Sequence, residues 1–365
     1  MIYRLLKNSI GDHRGKFTSG VVITFFILSV LGCGKSNSID PNGPSSGKQL
    51  GKTAVHTLAA SDAARIQLRA LIDNVKGATM RVYGVHDNAG HTMDCVKIIS
   101  NPYVSGQFIG VYHTLVSNIY KVNLATSTDL QNWTWVRELA GSSPGGPASQ
   151  PTICYDAVDG GFIMAWEQEN LGGGNNHIKV VYFTNWTNLY NGSVSKSYDC
   201  ARSLSSCAEG TPNLYTASKA SCIIGHHYYS NCTVDRQAQG TLTNFNSWST
   251  SKQTNVDNAM LYWGVQGNIG DRDGWAVFGG YKFGLFEGQY TANDWSSWRT
   301  FLYDYQTGNA DTTVIQTDAG STAFANPTIA FLTVNGNNAL VVTLFIPSQG
   351  AKGSEAGELI YYKYY

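Results

Sequence analysis

The chain has 365 residues, with acids and bases balanced at 25 each and charged residues making up only 14%. That balance argues against a nucleic-acid partner, because proteins that read a phosphate backbone carry a basic excess. Aromatic residues reach 12%, with 21 Tyr and 9 Trp beside 39 Gly, a composition that suits short strands, tight turns and surfaces that stack on sugar rings.

The N-terminal residues are basic, with Arg4, Lys7, Arg14 and Lys16 against Asp12, and an apolar run follows from Val21 to Leu31. Eleven residues are too few for a membrane span, which needs roughly twenty, but they match the apolar stretch of a signal peptide. The run ends in Val30-Leu31-Gly32-Cys33, which is similar to a lipobox. Residues 1–32 are therefore expected to be a lipoprotein signal peptide, with Cys33 as the lipidation site; an ordinary secretory signal beside a Cys is the alternative. Residues 33–50, rich in Ser, Asn, Gly and Pro, read as a flexible tether, and residues 51–365 as the folded domain. The expected location is a bacterial cell envelope, outer membrane or cell surface, touching the membrane only through the lipid.

Ser61 to Asn74 is the one convincing helical stretch. Beyond it the text is strand-like, with β-branched and aromatic runs such as Gln107–His113, Gly161–Trp166, Cys222–Tyr229, Gly274–Gly279 and Ala339–Phe345. Between these runs a short pattern recurs at Thr128–Trp133, Thr184–Leu189, Thr243–Trp248 and Asn293–Trp298, its last apolar residues 56, 59 and 50 positions apart. A second marker opens β-runs: Pro151-Thr152-Ile153, Pro212-Asn213-Leu214, Asn258-Ala259-Met260 and Pro327-Thr328-Ile329. A unit of about 55 residues holding three or four strands is a propeller blade, and the folded length holds five. The prediction is an all-β, five-bladed β-propeller; a β-sandwich is the rival but does not require so even a spacing. The last unit stops before a copy of the pattern, so Met80–Val85 is expected to complete the final blade and remove its open edge.

Apart from Cys33 there are six cysteines, and an even number in an exported chain favours disulfides. Cys200–Cys207 and Cys222–Cys232 are the expected pairs because each closes a short loop; the alternative is that some cysteines stay buried as small apolar residues. No CxxC occurs and no His clusters with Cys, so no metal site and no cofactor is expected. A structural calcium ion at the propeller axis is the one addition the fold would allow. The protein is expected to be a monomer.

In a blade the first strand lines the axis and the second returns antiparallel, so first-strand starts and second-strand ends share one face. The expected starts are Asp94, Gln150, Glu209, Asp257 and Asn326. The ends are His113, the Glu167-Gln168-Glu169 run and the His226–Tyr229 run. Several carboxylates converge there, and glycosidic cleavage needs two, one to protonate the leaving oxygen and one to activate water or attack. Asp87 is a competing base. Of His226 and His227, alternating along one strand, one is expected to face outward into packing and the other to bind substrate.

Glu209-Gly210-Thr211-Pro212 is similar to the Glu-Gly-Pro motif of family 43 glycoside hydrolases, which carries their general acid. Asp94–Ile99 followed by Gln107–His113, and Ala125–Trp133, resemble their first blade, whose first strand opens with the catalytic base. The resemblance implies a glycoside hydrolase acting on an oligo- or polysaccharide, with Glu209 as acid and Asp94 as base facing it across the funnel. Gln150, Glu169, His227, Arg236 and Asp257 are the expected substrate-binding residues. Where the family's second blade opens with an Asp that tunes the acid, this chain has Gln150, which can orient Glu209 but cannot raise its pKa by like-charge repulsion; either Asp257 or Glu169 replaces that Asp, or the reaction is different. A non-catalytic surface glycan-binding propeller is the alternative. A polysaccharide lyase is a third reading, with Arg236 and Lys179 as the cations placed to support it.

Overall fold

The computed structural model describes residues 59–142, 145–169 and 176–365, so Cys33 and the stretches expected to be signal peptide and tether lie outside the described residues. One helix, α1 (Asp62–Asp73), precedes the first strand, β1 (Met80–Tyr83), as the sequence predicts. Four four-stranded blades then follow in chain order. Blade 1 holds β2 (Asp94–Ser100), β3 (Phe108–Val116), β4 (Ile119–Ser127) and β5 (Thr134–Ala140). Blade 2 holds β6 (Ala148–Asp156), β7 (Gly161–Gln168), β8 (His177–Phe183) and β9 (Lys196–Asp199), with helix α2 (Trp186–Tyr190) between its last two strands. Blade 3 holds β10 (Glu209–Ala217), β11 (Ser221–Ser230), β12 (Val234–Thr243) and β13 (Ser247–Lys252); helix α3 (Thr254–Tyr262) follows it. Blade 4 holds β14 (Ile269–Phe278), β15 (Tyr281–Gln289), β16 (Trp298–Asp304) and β17 (Asn309–Thr312). Blade 5 is closed by both ends of the domain: β18 (Ala325–Val334), β19 (Asn337–Ile346) and β20 (Gly357–Tyr364) take β1 as their outer strand, with Met80 opposite Tyr362 and Tyr83 opposite Leu359. The five-bladed propeller and its clasp are thus as predicted, and the clasp explains why the last unit lacks the recurring pattern: its fourth strand comes from the other end.

The pattern itself is a turn with an aromatic wedge. Asp129 Oδ1 accepts from the backbone N–H groups of Gln131 and Asn132 at 2.9 and 2.8 Å, an Asx turn that lowers Trp133 into the core. A Cβ on Gly110 would come within 2.7 Å of the Trp133 ring, and one on Gly240 within 2.0 Å of Trp248, so each Trp occupies space that only glycine leaves. Three copies connect third to fourth strands. The fourth, Asn293–Trp298, does not: it joins β15 to β16, second to third, which accounts for its shorter spacing.

The second marker is a bulge. First-strand ladders skip between Asp94 and Lys97, Ser149 and Thr152, Gly210 and Asn213, and Ala325 and Thr328. Within the skips Cys95, Gln150, Thr211 and Asn326 have φ of 58, 53, 47 and 47°. Pro follows three of them, and a residue without an N–H fits where the ladder is already broken. Asn258-Ala259-Met260 is no strand at all but lies in α3. Each strained residue donates its N–H to the preceding blade: Cys95 to Glu358 Oε2 at 2.9 Å, Gln150 to His113 Nδ1 at 3.1 Å, Thr211 to Glu167 Oε2 at 3.0 Å, and Asn326 to Glu287 Oε2. Acceptors of this kind offset a backbone cost of about 1–3 kcal/mol per residue. Four apolar clusters lie between neighbouring blades, α1 joining the one between blades 4 and 5, and a fifth packs α3 against blade 4.

The expected disulfides are corrected. Cys207 is bonded to Cys232, with Cα atoms 5.7 Å apart, while Cys95, Cys154, Cys200 and Cys222 are free thiols. Pairing of Glu209 with Tyr228 sets the residue just before β10 beside the turn after β11. Cys222 begins β11 at the opposite end and, with Cys200, is packed into the cluster between blades 2 and 3.

Candidate functional site

First-strand starts and second-strand ends do share one face, since Asp94 pairs with His113, Ser149 with Glu167, and Gly210 with His227. These pairs give the true equivalence between blades, and it differs from the strand starts expected from the sequence. Asp94 precedes its bulge residue by one position, Glu209 by two, and Gln150 is itself a bulge residue. Asp257 is on α3 rather than at a strand start.

Two carboxyl groups stand out on this face. Asp94 is half-buried and pushed up to about 6 by burial, opposed by a 3.1 Å hydrogen bond from Thr92 Oγ1 and by nearby His86. Glu169, just past β7, is half-buried and pushed up to about 7, first by burial and then by the negative charge of Glu167; the Ser149 hydroxyl at 3.4 Å opposes this. Tyr120 on β4 lies within electrostatic reach of both: burial raises its pKa most, and Asp94 and Glu169 add to that. The His113 ring meets Tyr120 edge-on at 5.1 Å. Because His113 Nδ1 accepts from Gln150 N–H, its proton belongs on Nε2.

Glu209, Glu167, Asp87 and Asp257 are tied to the framework. Glu209 is buried, and its Oε1 accepts three backbone N–H bonds, from Ser203 at 2.7 Å, Leu204 at 2.6 Å and Ser205 at 3.1 Å. Glu167 bridges Thr211 and Asn176. Asp87 accepts from Tyr112 and from Ala89 and His91 N–H, and faces His91 Nδ1 at 2.8 Å. Asp257 takes the N–H of Gln237 at 2.9 Å and is raised to about 6 by burial, offset by that bond and by Arg236 and Lys252.

His226 is fully buried and lowered to about 4 by burial, its Nε2 2.7 Å from Thr250 Oγ1. His227 is half-buried, with Nε2 3.6 Å from Asp235 Oδ1. Burial raises the pKa of Asp235, His227 counteracting and Glu167 adding to the rise. Arg236 Nη1 donates to the carbonyls of Asp235 and Gly267, both at 2.7 Å, and Lys179 is paired with Asp199 at 3.1 Å. Tyr120 and Asp235 were not among the sequence candidates. Third strands also begin on this face, so extending the strand-start argument to β4 and β12 would have found both.

Across the axis, Lys97 Nζ on β2 is 2.6 Å from Asp273 Oδ2 on β14, joining blades 1 and 4, which are not neighbours. A lysine at this depth does not suit a calcium site, which is built from oxygen ligands. Among the described residues no cluster of His, Cys, Asp and Glu is arranged to hold a metal ion.

No protein-family model and no curated protein matches the sequence. Solved structures do match. A thermostable family-43 glycoside hydrolase aligns over 78% of this chain and 92% of its own, at 8% identity and a TM-score of 0.51. An α-L-arabinofuranosidase from Podospora anserina in complex with cellotriose aligns over 80% and 97%, at 13% identity and 0.47. A Cellvibrio cellulosa α-L-arabinanase complexed with arabinohexaose aligns over 74% and 91%, at 9% identity and 0.48. At such identities the likeness is one of architecture: the chain has the five-bladed fold of the family-43 glycoside hydrolase.

Proposed function

We propose that the protein is a glycoside hydrolase cleaving glycosidic bonds of a polysaccharide or its side chains, with Asp94 and Glu169 as its carboxyl pair. One observation carries this reading: two half-buried carboxyls on neighbouring blades, raised to about 6 and about 7, both acting on Tyr120. Environments that hold two carboxyls at different pKa values separate a base from an acid. Asp94 ionises first and serves as base or nucleophile; Glu169 keeps its proton near neutrality and serves as acid. Glu209, the acid implied by the family resemblance, is assigned instead to the loop whose amides it binds. His227 and Gln150 line the same face as substrate contacts.

The test is product analysis on a panel including arabinan, arabinoxylan and galactan, with Asp94→Asn and Glu169→Gln compared to wild type. Each variant should lose about 10²–10⁴ in turnover while still binding the polymer. Wild-type activity in both variants would sink the assignment. The commitment of Glu209 to its loop favours a second reading, a glycan-binding propeller without catalysis, which would hold if the wild type binds polymer and releases no product. The lyase reading loses support because Arg236 and Lys179 are engaged elsewhere.

We also propose that the chain works outside the cytoplasm, tethered through Cys33. The Cys207–Cys232 bridge supports this, since stable disulfides belong to oxidising compartments.

A further inference from the structure

The seam between blades 3 and 4 differs from the others. Helix α3, connecting the funnel-side ends of β13 and β14, packs Val256, Met260 and the following Trp263 against blade 4, in a cluster to which the strands of blade 3 contribute nothing among the described residues. Strand β13, Ser-Trp-Ser-Thr-Ser-Lys, has little apolar surface with which to close the remainder. A groove of about 490 Å³ is left there, within the roughly 300–1,000 Å³ span of small-molecule sites. Gln239, midway along β12, and Gln253, just past the funnel-side end of β13, enter it from blade 3; Trp275, Tyr281, Lys282 and Gln306 enter from blade 4, towards the strand ends away from the funnel.

We infer that this groove is a second carbohydrate-binding site, separate from the funnel, that takes a neutral oligosaccharide segment. Three observations carry the inference. First, the side-chain amides of half-buried Gln239 and Gln253, and of exposed Gln306, have no hydrogen-bond partner among the described residues. Each amide offers two donors and an acceptor, the complement of sugar hydroxyls. Second, none of the residues lining the groove is acidic, and the single cation, Lys282, has its ammonium 3.6 Å from the centre of the Trp275 ring. Neither a cation nor a phosphate has a built partner there, whereas a neutral polar ligand does. Third, Trp275 has a φ of 66°, which is strained for a bulky residue, and is held by stacking on Tyr215 at 5.2 Å. Strain of this kind gathers at ligand sites; with the Trp275 faces covered by Tyr215 and the Lys282 ammonium, the rings of Tyr281 and Tyr305 form the aromatic wall beside the Gln amides, the surface a sugar ring packs against.

The experiment is electrophoresis through native gels containing arabinan, arabinoxylan or galactan, with all proteins in an Asp94→Asn background so that the polymer is not consumed. Tyr281→Ala/Gln306→Ala and Gln239→Ala/Gln253→Ala are compared with the parent, and thermal melting verifies that both are folded. At least one polymer should retard the parent, and its apparent affinity should fall at least about fivefold in each double variant, as expected for lost neutral hydrogen bonds. No retardation of the parent by any polymer, or equal retardation of parent and both variants, overturns the proposal. Groove-dependent retardation without hydrolysis by the wild type would sink the hydrolase reading and leave this one standing; hydrolysis with groove-independent retardation would do the reverse.

Discussion

What holds a carboxylate's oxygens separates Asp94 and Glu169 from their neighbours. Glu209, Glu167, Glu287 and Glu358 each receive backbone N–H groups; the hydrogen bonds found at Asp94 and Glu169 come from a Thr and a Ser hydroxyl. With Asp94 needed ionised and Glu169 needed protonated, kcat/KM should rise through about pH 6 and fall above about pH 7. A pH–rate profile that is flat across this window would count against the pair. The same shift has a stability consequence. The folded Asp94 binds its proton more tightly than the unfolded chain does, so its contribution is full below about pH 4 and is lost as pH rises through about 6. Asp94→Asn should therefore raise Tm at pH 8 and leave it nearly unchanged near pH 4. Glu209→Gln tests the loop assignment: hydrogen bonds to a charged group contribute about 1.5–3 kcal/mol, so denaturant stability should drop while turnover per folded molecule persists. A loss of turnover at unchanged stability would return the acid role to Glu209.

At the scale of elements, local patterns were legible and their partners were not. Ser61–Asn74 reads as a helix because its apolar residues repeat at helical spacing, and Leu68 and Ile72 are indeed buried. Asp129 and Trp133 could be read as a turn and a wedge, but not that Asn293–Trp298 is a different connection with similar residues, because turn chemistry is local and strand order is not. The cysteines show the same limit. Short sequence separation favoured Cys200–Cys207, whereas β-sheet register placed Cys207 against Cys232. Peptide mapping under non-reducing conditions should recover Cys207–Cys232 and find the buried thiols of Cys95, Cys200 and Cys222 labelled only after unfolding. A Cys200–Cys207 peptide would overturn the register.

At the scale of the molecule, the ring is closed twice, by β1 on β20 and by Lys97 with Asp273 across the axis. Both members of that ion pair are buried, and Asp273 also accepts the N–H of Ile329. Removing one partner of a buried pair costs about 3–5 kcal/mol, so Lys97→Met should lower the urea midpoint sharply, and Lys97→Met/Asp273→Leu should recover part of the loss. Equal stability of Lys97→Met and wild type would mean the pair carries no weight. For the whole chain in cells, Cys33→Ser should move the protein from the membrane to the soluble fraction; unchanged fractionation would remove the lipid anchor.

The sequence alone determined the class of fold, the number of blades and the clasp, because these follow from strand periodicity, an even repeat and a final unit one strand short. It also named Asp94, Glu169 and His227 and the face they share, since antiparallel pairing inside a blade is local. What surrounds each carboxylate was decided only by tertiary structure. The sequence pointed to Glu209 as the acid through its Glu-Gly-Thr-Pro context, yet Glu209 meets the amides of residues 203–205 and Glu169 a Ser hydroxyl and a neighbouring carboxylate. Burial and hydrogen bonding set a carboxyl's chemistry, and both come from residues brought together by the closing of the ring.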